Sequence, residues 1–219
     1  MFKFGEEARG SEVIMTPVKI LARRLGAELE GVSHFASGGW WKLWKGRLRD
    51  QKLSVVDCGT GEKAADCILF LKKEGVKKIF FFGFAGSTSK SLAPGSFCSP
   101  AAWAGGASFK QFSLSLRKNV LPLKTARAFS GERKILPGGQ KEKSKRIIYT
   151  LPSLFMEMSI FEKLAEAGFD MVDMETAHAA FAAEGIESRF LYYITDFKME
   201  FVKTDIKKLA EVCLKSALL

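Results

Sequence analysis

The sequence predicts an α/β layered fold, and three observations carry that prediction. Short apolar strands alternate with amphipathic helical stretches along the whole chain. One strand, Lys78 to Gly83, is apolar on both faces, as the centre of a parallel sheet requires. Glycines close most of the helical stretches, where a left-handed residue is needed. The chain has 219 residues, 47% apolar and 26% charged, which suits one domain with a sizeable core. No internal repeat and no linker divides it, so residues 1–219 are read as a single domain.

Glu12 to Met15 reads as the first strand. Pro17 then fits the first turn of a helix from Val18 to Leu25, with Gly26 as its stop. Leu53 to Asp57 is a second strand, running through Gly59-Thr60-Gly61 into a helix from Glu62 to Lys73 that Gly75 ends. The central strand Lys78–Gly83 passes into Gly83-Phe84-Ala85-Gly86, small residues that let a ligand or another strand approach the backbone. Pro94-Gly95 marks a turn, and Ser96 to Ser99 offers a short strand. Ile147 to Thr150 is a strand, and Ser159 to Ala167 a helix closed by Gly168. Met171 to Asp173 is a short strand leading into a helix from Met174 to Glu184. Arg189 to Thr195 is a strand ending at Asp196, and Asp205 caps a last helix to Leu218.

The net charge of +10 is local. Between Ala107 and Thr150 eleven basic residues face only Glu132 and Glu142. Aromatic residues are sparse among these charges, so a solvated excursion is favoured over a nucleic-acid platform. Cys58, Cys67, Cys98 and Cys213 form no Cys-x-x-Cys pair, and only His34 and His178 could join them, which argues against a metal site. Scattered cysteines fit a reducing compartment, and no apolar stretch has membrane-span length, so a cytoplasmic protein is expected.

Three strand ends collect small or acidic residues: Gly83-Phe84-Ala85-Gly86, Asp173-Met174-Glu175 and Thr195-Asp196. In open α/β sheets ligands bind outside such ends. Each has a plainer reading too. Asp173 suits a helix cap, Glu175 gains from the first-turn dipole, and the glycines suit close packing.

The order of the pieces decides more than any one of them. Asp57-Cys58-Gly59-Thr60-Gly61 before Ala64-Ala65, then Gly83-Phe84-Ala85-Gly86, Pro94-Gly95, Val172-Asp173-Met174-Glu175-Thr176 and Ile194-Thr195-Asp196 follow one another from end to end. This succession resembles the nucleoside phosphorylase and nucleosidase superfamily, which includes purine nucleoside and uridine phosphorylases and methylthioadenosine/S-adenosylhomocysteine nucleosidases. The resemblance implies a three-layer α/β sandwich with a central mixed β-sheet flanked by helices, phosphorylase/hydrolase-like. It also implies cleavage of a nucleoside's N-glycosidic bond, of purine type. Asp196 would then be the general acid to the base and Glu175 the holder of the ribose hydroxyls. Met174, Phe155, Asp173, Ala85 and Gly86 would complete the substrate site.

The acceptor side departs from the family pattern. Phe81 and Phe84 stand where phosphorylases carry an arginine and a Ser or Thr for phosphate. Lys19, after Thr16-Pro17-Val18, and Gly83 are the remaining phosphate-binding candidates, and Lys19 is a poor substitute for a water-activating glutamate. Hydrolysis is slightly favoured over phosphorolysis. A nucleoside-binding protein without chemistry is the alternative. No cofactor is expected beyond inorganic phosphate as an optional co-substrate. The implied partners are a small nucleoside and further copies of the chain, as a dimer, trimer or hexamer, with neither membrane nor nucleic acid. The strip Trp40-Trp41-Lys42-Leu43-Trp44 fits either a subunit contact or a core wall.

Overall fold

The structure is a computed structural model, and it describes residues 12–37, 41–108, 111–113, 127–128, 146–153, 156–198 and 200–218. Its strands are β1 (Glu12–Thr16), β2 (Glu30–Ser37), β3 (Trp41–Leu48), β4 (Gln51–Asp57), β5 (Lys78–Ser87) and β6 (Phe97–Cys98). They continue with β7 (Ala102–Gly105), β8 (Arg127–Ala128), β9 (Ile147–Thr150), β10 (Met171–Asp173), β11 (Glu187–Phe197) and β12 (Glu200–Phe201). The helices of the described residues that position the site are α1 (Lys19–Ala27), α2 (Lys63–Lys73), α3 (Glu157–Glu166), α4 (Thr176–Ala182) and α5 (Ile206–Ala217).

All described strands join one mixed sheet, ordered β2-β3-β4-β1-β5-β10-β9-β7-β8, with β11 branching from β5. β4, β1, β5 and β11 run parallel. β5 is the pivot. Its first half pairs with β1, while Gly86 and Ser87 pair antiparallel with Val172 and Met171 of β10. Every residue from Ile79 to Phe82 is buried, as a strand covered on both faces demands.

Two helical layers provide the cover. Ala64, Cys67, Ile68 and Leu71 of α2 lie with Ala177, Ala179 and Ala180 of α4 against Ile79, Phe81 and Ala85. On the other face Leu21, Ala22 and Leu25 of α1 join Leu209, Ala210 and Cys213 of α5 against Phe80 and Phe82. At one end α3 covers Tyr149, Leu151 and Val172 through Ile160 and Leu164. This is a three-layer α/β sandwich, as the resemblance implies.

Several sequence expectations change in detail. Gly83-Phe84-Ala85-Gly86 belongs to the strand β5 rather than to a turn after it, because β11 holds the backbone in register through Ser87. Gly26 does not stop α1. It lies buried inside that helix, where a Cβ would sit 2.5 Å from Trp44 Cγ. The hairpin β2–β3 and the strand β7 were not foreseen. Trp41 stacks on Phe70 at 5.3 Å and Trp44 lies 5.1 Å from His34, so both tryptophans pack within the chain. Trp40 lies outside the described residues, as does most of the basic stretch. Of that stretch, Arg127 pairs with Glu184 and Arg146 with Asp170. Asp205 caps α5 as expected, accepting from the backbone N–H groups of Lys207 and Lys208.

Candidate active site

The candidate site gathers around Gly86. Val172 of β10 stands beside it on one edge and Asp196 of β11 on the other. Adjacent strands lie about 4.8 Å apart, so the two flanking backbones are separated by roughly 10 Å. Asp196 reaches this position through a β-bulge. Ile194 pairs with Ala85 and Asp196 with Gly86, which leaves Thr195 as the extra residue. Side chains alternate faces along a strand, so without the bulge Asp196 would share the face of Ala85. With it, the Asp196 carboxyl oxygens lie 3.3 and 3.4 Å from the point a Cβ of Gly86 would occupy. Thr195 Oγ1 lies 2.7 Å from Asp196 Oδ1 and 3.3 Å from the carbonyl oxygen of Ala85, which fixes the carboxyl's orientation. Asp196 is buried.

From the other edge, β10 leads through Asp173 and Met174 to Glu175. Asp173 is fully engaged: Thr150 Oγ1 donates to one oxygen, and the Thr176 N–H and hydroxyl to the other. The Thr176 hydroxyl also meets the Tyr192 hydroxyl, and the Ala177 N–H donates to Thr150 Oγ1. This buried network ties β9, β10, β11 and α4 together behind the site. Burial nevertheless pushes the Asp173 carboxyl up to about 6. Glu175 is also buried, and one of its oxygens accepts the Gly61 N–H at 2.9 Å. Gly59 and Gly61 both have positive φ, 69° and 64°, so the turn that offers this N–H needs glycine. Burial, then the neighbouring Asp173, pushes Glu175 up to about 8. Met174 is half-buried at the same junction.

The remaining candidates are distributed as follows. Ala85 and Gly86 are buried in β5 between the two acid-bearing strands. The space beside Gly83 is filled: a Cβ there would lie 2.8 Å from Tyr192 Cε1, so Gly83 serves packing. Phe81 is wholly buried against Phe190 and Tyr192, and Phe84 is half-buried 5.8 Å from Tyr193. Lys19 is exposed at the start of α1. Phe155 lies outside the described residues. Among the described residues no group of three metal-ligating side chains gathers.

Sequence reasoning missed Glu157. It opens α3 and is 2% exposed, with Oε1 buried without a hydrogen-bond partner. Leaving a buried acceptor unpaired costs about 1–3 kcal/mol. Oε1 lies 2.8 Å from the Cβ position of Gly86, on the same side as Asp196. Burial, then the Asp196 charge, pushes Glu157 up to about 7. A signal was present, because the apolar face of Ile160, Phe161 and Leu164 extends one turn back onto Glu157.

The α/β sandwich thus brings the buried carboxyl groups of Glu157 and Asp196 to one glycine of its central strand. Residues 13–113 match the family model described as the phosphorylase superfamily. No curated protein matches the chain in sequence. Among solved structures, a uridine phosphorylase of the oomycete Phytophthora capsici is similar, with a TM-score of 0.71 and 13% identity, over 98% of this chain and 92% of that one. The methylthioadenosine/S-adenosylhomocysteine nucleosidase of Colwellia psychrerythraea, solved with adenine, has a TM-score of 0.71 and 17% identity, over 96% of each chain. The Streptococcus pneumoniae nucleosidase, solved with 8-aminoadenine, has a TM-score of 0.68 and 16% identity, over 95% of this chain and 98% of that one. Residues 13–113 thus resemble the phosphorylase superfamily, and the chain carries the fold of these solved structures along nearly its whole length.

Proposed function

We propose that this protein cleaves the N-glycosidic bond of a nucleoside of purine type. One observation supports this most: the bulge at Thr195 turns a buried carboxyl toward Gly86, while the neighbouring strand brings Glu175 to the glycine turn. Breaking the bond leaves positive charge on the sugar and negative charge on the base. Asp196 supplies a proton to the departing base. Glu175 accepts hydrogen bonds from the ribose hydroxyls, and its charge favours the cation forming beside it. Met174 packs on the ribose, Phe155 stacks on the base, and Ala85 and Gly86 give the base room against the strand. Asp173 holds the β10–α4 junction in place.

Water is the favoured acceptor. Phe84 occupies a position where a phosphate needs a hydroxyl, the space at Gly83 is taken by Tyr192, and Lys19 offers one exposed charge. The four cysteines are free and buried, which suits a cytoplasmic protein. Assembly of several copies, with neighbours completing the pocket, belongs to the same reading. Incubating the pure protein with a nucleoside panel, with and without inorganic phosphate, tests it. Free base is expected from purine nucleosides without phosphate. Release from none of them contradicts the proposal, and release only with phosphate reverses the choice of acceptor. The phenylalanines at 81 and 84 favour one second reading, a nucleoside-binding protein without chemistry. Calorimetric binding of a nucleoside that stays intact for hours would select it.

A further inference from the structure

Glu157 has no place in the reaction described above, yet it is the most unusual group near Gly86. Its carboxyl is buried by the first turn of α3, with Oε1 aimed at the bare Cα of Gly86 and lacking any partner. The Asp196 carboxyl approaches the same point from β11. The two groups therefore lie no farther apart than those two short distances together, within reach of transfer directly or through one water. Any side chain at position 86 would stand between them. A merely structural acid at a helix start would face solvent or cap an N–H, and Glu157 does neither.

We propose that Glu157 is the proton-holding partner of Asp196: across Gly86 the two carboxyl groups keep one proton between them, and that proton is delivered to the departing base. This rests on the glycosidic-cleavage reading. As the C1′–N bond breaks, its electron pair stays with the base. The proton passes from Glu157 to Asp196 and from Asp196 to a ring nitrogen, leaving both carboxyl groups ionised opposite the sugar cation. A proton from solvent restores the pair once the base has left. Burial of Glu157, then repulsion from the Asp196 carboxyl beside it, keeps the proton on Glu157 up to about pH 7. Among the described residues, other charges nearby do not displace it. β5 contributes none at Gly86 or Ser87, and Asp173 of β10 is held by Thr150 and Thr176. Beyond the pair, Lys198 of β11 is paired with Glu162 of α3.

Glu157→Gln is the direct test. In the wild type, kcat/KM for base release falls on the alkaline side of about pH 7. In the variant that limb moves by about one pH unit or more, because the proton reservoir is gone. An unmoved limb overturns the proposal, and Glu157→Asp should bring it back. A second measurement needs no activity and keeps Glu157. Carboxyl ¹³C resonances of glutamate-labelled protein are titrated in the wild type and in Asp196→Asn. The Glu157 signal should titrate near 7 in the wild type and at lower pH in the variant. A Glu157 midpoint in the ordinary carboxylate range, or one indifferent to Asp196→Asn, overturns it. If no nucleoside releases base, the cleavage reading fails while the titration still decides whether the pair shares a proton.

Discussion

Asp196 and Glu175 differ in how their surroundings prepare them. Asp196 is oriented by a hydroxyl one residue away, whereas Glu175 is held by a backbone N–H from a turn 114 residues away in sequence. Asp196→Asn and Glu175→Gln each should lower turnover by orders of magnitude, with the circular dichroism spectrum unchanged. Gln can still accept from Gly61, so an unfolded Glu175→Gln would argue for a structural role instead. Burial keeps Glu175 protonated in the empty site up to about pH 8. Ribose hydroxyls donating to it favour the ionised form. Nucleoside binding at pH 7 should therefore release a proton, measurable by calorimetry in buffers of different ionisation enthalpy. That release should vanish in Glu175→Gln. The sequence made both acids legible through their place in the ordered succession of motifs that resembles the nucleoside phosphorylase and nucleosidase superfamily. Glu157 escaped because a carboxylate before a helix is ordinary, and only burial distinguishes it.

At the scale of elements, the bulge in β11 matters most for the site. Strand periodicity alone places Asp196 on the wrong face, and no residue pattern announces the extra Thr195. Strands and helices with clean periodicity were readable: β1, β4, β9, β10, α2, α3 and α5 fall within a few residues of their expected ranges. The hairpin β2–β3 was not, because its residues from Glu30 to His34 are all exposed, the apolar Val32 included, so no buried face marks the strand. The end of β5 was also obscured, since glycines at 83 and 86 suggest a turn when the true reason is crowding by Tyr192 and by the two carboxyls. Gly26 shows the same effect in a helix. Gly26→Ala drives a methyl into the Trp44 ring, and overpacking of this kind costs about 1–3 kcal/mol despite alanine's better helix propensity. A urea titration should show the loss. A stabilised variant would mean that Trp44 has room to move.

The whole molecule is a sheet whose pivot strand serves both halves, and buried acids cluster where those halves meet. Burial raises Asp173, Glu157 and Glu175 to about 6, 7 and 8, above the roughly 4 of an unfolded carboxyl. The folded state therefore retains protons that the unfolded chain releases. Stability from these groups is fully present below about pH 4 and is lost as pH rises through 6 to 8. The melting temperature of the ligand-free protein should fall from pH 5 to pH 8, and more gently in a Glu157→Gln/Glu175→Gln double variant. A rise over that range would contradict the burial of these acids. No helix among the described residues is long and apolar enough to cross a membrane. The layered architecture was legible because alternating strands and amphipathic helices leave few other arrangements. The pairing of β5 with both β1 and β10 was not, since it depends on a strand changing partners midway.

The central claim is that two acids from separate stretches of the chain act on one bound nucleoside. A crystal structure with a non-cleavable purine nucleoside analogue tests it most directly. The account predicts the base edge against the Asp196 carboxyl beside Gly86, with both ribose hydroxyls on Glu175. An analogue bound elsewhere, or with its ribose turned away from Glu175, would contradict it.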